Sequence, residues 1–124
     1  MISRFVELRE SNFEGGLVIR EFVRLKPNKI NNRNKMPLSK ELQNFWRGTS
    51  CIAVTDYWHH SDCESVPPIA QEAALRINRP FYTIDLAMTM EGTWIVIEVG
   101  DGQVSALPDS LSPRQFYSGL VAAD

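Results

Sequence analysis

The alternation of apolar and polar positions divides the chain into short strands, turns and helices. Leu17-Val18-Ile19-Arg20-Glu21-Phe22-Val23-Arg24-Leu25 is β-branched and apolar around a central charged pair, and reads as a strand. Ahead of it, Arg4 to Arg9 alternates like a short edge strand. Ser11-Asn12-Phe13-Glu14-Gly15-Gly16 carries turn chemistry, because Asn makes Asx-turns and glycine accepts positive φ. Lys26 to Pro37 holds Pro27, Pro37 and four asparagines and reads as a long loop without a core face. Glu41 to Phe45 and Thr49 to Trp58 are strands around a turn at Arg47-Gly48, against a competing helix over Ser39 to Trp46 capped by Ser39.

His59 to Pro68 is a polar loop. Ile69, Ala70, Ala73, Ala74 and Ile77 then form the stripe of an amphipathic helix, entered through Pro67-Pro68 and stopped by Pro80. Arg76 and Arg79 suit the negative end of its dipole. Phe81 to Met88 and Thr93 to Val99 have the spacing of a hairpin through Met90-Glu91-Gly92. Ser112-Pro113 opens a last helix that turns Phe116, Leu120 and Tyr117 inward and ends near Ala122. Hairpins with separate helices predict an α+β fold: a mostly antiparallel sheet, one mid-chain amphipathic helix and a C-terminal helix. The strand–helix–strand run from Thr49 to Met88 is long enough for a crossover between two parallel strands.

The 124 residues suit a single domain spanning 1–124, and 44% hydrophobic with 23% charged residues is an ordinary globular composition. The longest apolar runs, Cys51 to Val54 and Trp94 to Ile97, are far shorter than the ~20 residues that span a bilayer, so no membrane partner is expected. Two cysteines make no disulfide framework, and a cytoplasmic location follows as the expectation. A net charge of −2 argues against a general nucleic-acid binder.

The charge is unevenly distributed. Phe22 to Lys40 carries six basic residues and no acid, whereas Phe81 to the end carries six acids and one base, Arg114. The basic segment could hold phosphate oxygens while carboxylates hold a divalent cation, or it is a solvated loop beside an acidic surface.

Asp85 stands in the middle of an apolar strand and Glu98 near the end of the next. Positions symmetric about the Glu91-Gly92 turn face each other, which sets these two carboxylates opposite one another. Facing carboxylates raise each other's pKa unless a cation lies between them. Mg²⁺ suits the place because it takes one or two protein carboxylates and leaves the rest to water and phosphate, and Asp101 lies within reach past the strand end. The alternative is a structural salt bridge from Asp85 to an arginine. Arg20 and Glu21, adjacent in a strand, point to opposite faces; they either face a ribose hydroxyl and an anion or form one cross-strand ion pair. His59-His60-Ser61-Asp62-Cys63-Glu64 lacks the spacing of a zinc site. Cys51 reads as a small buried hydrophobe, and neither cysteine has a positioned His to activate it.

Asp85, a turn glycine, Glu98 thirteen residues later and then Gly100-Asp101-Gly102 resemble the metal-binding hairpin of ATP-grasp ligases. Leu17 to Val23 is similar to that family's hinge strand, Glu41 to Trp58 to its next strand pair, and Ile69 to Asn78 to the helix before the Asp strand. The resemblance covers roughly Gly15 to Pro108. It implies Mg²⁺ and ATP as cofactors and ligation of a carboxylate to an amine through an acyl-phosphate. It further implies Asp85, Glu98 and Asp101 at the metal, Glu21 at the ribose, and Arg20 or Arg47 near phosphate. The pattern departs from the family in three places. Gly100 stands where the family has a metal-binding Asn, Gln43 stands where it has an Arg, and only 16 residues precede the hinge-like strand. The last departure implies an absent N-terminal ATP-grasp half, supplied by a partner chain or a homo-oligomer. The alternative to a ligase is a non-catalytic binding module that keeps the sheet.

Overall fold

The computed structural model describes residues 7, 15, 18–30, 37–56, 60–61, 66–103, 106–107 and 111–122. In chain order it builds β1 (Pro27–Ile30), β2 (Pro37–Ser39), β3 (Glu41–Arg47), β4 (Ser50–Asp56), β5 (His60–Ser61), α1 (Pro68–Ala74), β6 (Phe81–Met88), β7 (Trp94–Asp101) and α2 (Pro113–Ala122). β1 and β2 form a two-stranded ribbon; the others form one sheet in the order β5-β4-β3-β6-β7, antiparallel throughout. The fold is α+β, as the patterning predicts. β4 and β6 do run in the same direction, since each is antiparallel to β3, but β3 lies between them and no parallel pair forms.

The two faces of the sheet bury different things. Trp46, Val54, Tyr82, Ile84 and Leu86 make one cluster with Val66, Ala70 and Ala74, so α1 and its entry cover that face. On the other face Phe45 and Ala53 pack with Leu111 and with Phe116 of α2. The Phe45 and Phe116 rings meet edge to face at 5.1 Å. Tyr82 donates its hydroxyl to the Gly48 carbonyl at 2.6 Å and thereby ties β6 to the β3–β4 turn. Its burial, then the Cys51 thiol, pushes its pKa up.

Several expectations are corrected. Residues 18–24 belong to no helix or strand, although Leu25 bridges Thr89. The cause lies in the partner: Lys26 N–H donates to Met88 and Met90 N–H to Arg24, after which the β6–β7 turn begins and no strand remains to pair with. Val18, Ile19 and Phe22 are therefore exposed, by 82%, 74% and 87%. The expected loop over Lys26 to Pro37 contains β1, which pairs with β2; both prolines are tolerated because the ribbon has two open edges. No helix replaces β3. α1 ends at Ala74 and tightens into i→i+3 bonds at Arg76 and Ile77, earlier than the apolar stripe suggests, as the chain straightens toward Pro80. Arg76 instead pairs with Glu72 at 2.8 Å. Tyr117, expected inward, is 59% exposed. The strand expected over Arg4 to Arg9 lies outside the described residues except Glu7, which is helical. Most of the Ser11–Gly16 turn and half of the His59–Pro68 loop also lie outside them, and within that expected loop His60–Ser61 forms β5.

Candidate functional site

The register across the sheet places a polar row on the α2 side. Thr55 of β4 faces Gln43 of β3, Gln43 faces Asp85 of β6, and Asp85 faces Glu98 of β7. Directly opposed residues have side chains on one face, about 4.5–5.5 Å apart at Cβ. Glu41, two residues before Gln43, shares this face.

A β-bulge creates the Asp85–Glu98 pairing. Beside the turn, Met88 faces Trp94, Ala87 faces Ile95 and Leu86 faces Val96; the register then shifts so that Asp85 faces Glu98 and Ile97 is left over. Had the first register continued, Ile97 would oppose Asp85 and Glu98 would project from the other face, because one residue of slip inverts a strand. The extra residue turns Glu98 onto Asp85's side. Gly92, at φ +85°, shapes the turn from which this count starts.

Asp85 is half-buried and Glu98 exposed. Burial raises the Asp85 pKa, the facing Glu98 charge adds to the rise, and a hydrogen bond from Gln43 opposes it. Glu41 is raised as well, by burial and then by Asp85. Among the described residues, Oδ1 of Asp85 is buried with no hydrogen-bond partner. The fully buried Thr55 hydroxyl is also unpartnered. An unpaired buried acceptor in a repulsive carboxylate pair is a place for a cation. Two carboxylates fit Mg²⁺, which draws its remaining ligands from water and phosphate. Among the described residues, no group of three or more His, Cys, Asp or Glu is placed to hold a metal ion.

The remaining candidates are dispersed. Asp101 faces Tyr82 and so projects from the face opposite Glu98; its carboxylate accepts the Gln103 N–H at 2.9 Å. It borders a cleft of about 380 Å³ with Arg79, Phe81 and Gln103. Arg47 ends β3 on the polar face, opposite Phe81 and Ser50. Glu21 is exposed on the segment 18–24. Arg20 donates Nη1 to the carbonyl of Ile97 at 3.1 Å, and among the described residues it makes no ion pair with Asp85 or Glu98. Sequence patterning does not reveal Glu41 and Thr55 as members of this face. The available signal is the i, i+2 run Glu41, Gln43 in β3, which acquires meaning only with the register.

A family model described as an ATP-grasp domain, the third family of its clade, matches residues 1–120. No curated protein and no solved structure matches the chain. No helix among the described residues is long and apolar enough to cross a membrane.

Proposed function

The chain belongs to the ATP-grasp domains, in the third family of its clade, and on that premise we propose that it binds ATP with a divalent cation in support of carboxylate–amine ligation through an acyl-phosphate. One observation carries the reading: Asp85 and Glu98 face each other across a bulged ladder, with Asp85 Oδ1 buried and unpartnered. These two residues would hold Mg²⁺, which when bound supplies neutralisation of the charge on phosphoryl oxygens. Gln43 faces Asp85 across the ladder and hydrogen-bonds to its carboxylate, and Oδ1 is the oxygen left for the cation in this reading.

Among the described residues, the backbone of residues 18–23 makes no backbone hydrogen bond. In this reading its open N–H and C=O groups take the base edge, the exposed Val18, Ile19 and Phe22 lie against the apolar ring, and Glu21 accepts from a ribose hydroxyl. Arg20 is engaged by a carbonyl, and Arg47, on the polar face at the end of β3, is placed near the phosphates in this reading. Asp101, on the other face, is outside the proposed metal pair.

Gly100, Gln43 and the absence of a third ligand among the described residues favour a second reading, in which the domain binds nucleotide without ligating. A titration of isotope-labelled protein with Mg-ATP tests the shared claim. Shifts confined to residues 18–25, 47, 85 and 98, lost in Glu98→Gln, support it; shifts elsewhere, or binding indifferent to Glu98→Gln, contradict it. Release of phosphate from Mg-ATP when a carboxylate and an amine are supplied separates ligase from binder.

A further inference from the structure

We propose that Arg20 is a positioning residue that fastens the segment 18–24 to the β7 bulge, and so couples the nucleotide-binding segment to the carboxylate pair. The inference rests on the nucleotide reading and goes beyond it. The segment lacks the usual restraints: its apolar side chains are exposed, and N-terminal to Arg24 it has no backbone partner among the described residues. Among the described residues, the segment N-terminal to Arg24 has its long-range hydrogen bond from the Arg20 guanidinium, which reaches 77 residues along the sequence to Ile97. The acceptor is the bulge residue itself, skipped by the ladder, and it adjoins Glu98. Removing the tether frees both sides. Among the described residues, the backbone of 18–24 is then held only at Arg24–Lys26, and the bulge that turns Glu98 toward Asp85 loses a bond stabilising its shape.

A family-like role for Arg20 would place its charge on phosphate, and adenosine, which has none, distinguishes the two. Arg20→Met and Arg20→Lys are compared with wild type by backbone {¹H}-¹⁵N NOE in the free protein and by titration with adenosine and with ADP. Arg20 is exposed, so both variants retain the core. The tether predicts that Arg20→Met lowers the NOE of residues 18–24, weakens the Asp85–Glu98 cross-strand NOE and reduces adenosine affinity about three- to tenfold, the scale of one hydrogen bond. Arg20→Lys, still able to donate to the carbonyl, keeps most of each. Unchanged NOEs, or an ADP affinity that falls while adenosine affinity holds, would overturn it and make Arg20 a phosphate ligand. Should wild type bind neither ligand, the nucleotide reading falls, while the NOEs of the free protein still decide the tether.

Discussion

The two faces of the central sheet are made from the same strands and do opposite work. On the α1 side, Trp46, Val54, Tyr82, Ile84 and Leu86 exclude water almost completely. On the α2 side the aromatic cluster covers one end, around Phe45 and Phe116, and gives way to Glu41, Gln43, Asp85 and Glu98 along the strands. Alternation lets a single strand serve both: in β6, Ile84 and Leu86 build the core while Asp85 between them projects to the other side. One face holds the domain together, and the other carries the carboxylates at its open end; among the described residues each face keeps buried polar atoms without a partner, Asn44 Oδ1 and Trp46 Nε1 on the α1 side and Thr55 Oγ1 and Asp85 Oδ1 on the α2 side.

The contrast can be broken most forcefully from the core side. Leu86 is fully buried under α1, and Leu86→Ala should cost about 2–5 kcal/mol, enough to lower the melting temperature by roughly 10 °C in a calorimetric scan. The covered end of the polar face is expected to be nearly as demanding. A Cβ on Gly102 would lie 2.5 Å from the Phe81 ring, so Gly102→Ala should displace that ring from its place beside Phe116. We expect a loss of about 1–3 kcal/mol in urea unfolding, the usual scale of overpacking.

The open end of that face should respond with the other sign. Asp85 and Glu41 titrate above their ordinary values of 3.8 and 4.5. Their contribution is fully present below those ordinary values and is lost as pH rises through the raised ones, because the native state holds its protons longer than the unfolded chain. Asp85→Asn removes the Asp85 part, and also the charge that raises Glu41. The stability of wild type relative to Asp85→Asn should therefore fall as pH rises from about 4 to 7; a difference that grows in wild type's favour would mean that a cation already compensates the pair.

How much of this is legible in the sequence depends on whether a feature is local. The hairpin carrying Asp85 and Glu98 is set by a short turn and strong β patterns, so its existence can be read directly. Its pairing can be read only in part: counting symmetrically about Glu91-Gly92 puts Asp85 opposite Glu98, yet the ladder at the turn is centred on Glu91, which offsets each partner by one residue, and the bulge at Ile97 restores the match. Nothing in the Trp94–Val99 pattern announces a bulge. The segment from Leu17 to Leu25 has strand composition and becomes no strand, because pairing needs a neighbour and β6 turns away at Met90. Thr55 and Glu41 have ordinary side chains at ordinary strand positions, and only the register across β4, β3 and β6 brings them to the carboxylates.

Everything proposed for the polar face depends on the Asp85–Glu98 pair being an unsatisfied cation site rather than part of a structural salt bridge. Thermal melts of wild type and Asp85→Asn, each with and without Mn²⁺ at neutral pH, test this directly. At a concentration tenfold above Kd the ion should stabilise wild type by about 1.4 kcal/mol, a rise of roughly 5 °C. Asp85→Asn should melt at or above metal-free wild type and ignore Mn²⁺. A wild type indifferent to Mn²⁺, together with an Asp85→Asn that melts lower, would contradict the cation site and assign Asp85 to a buried ion pair.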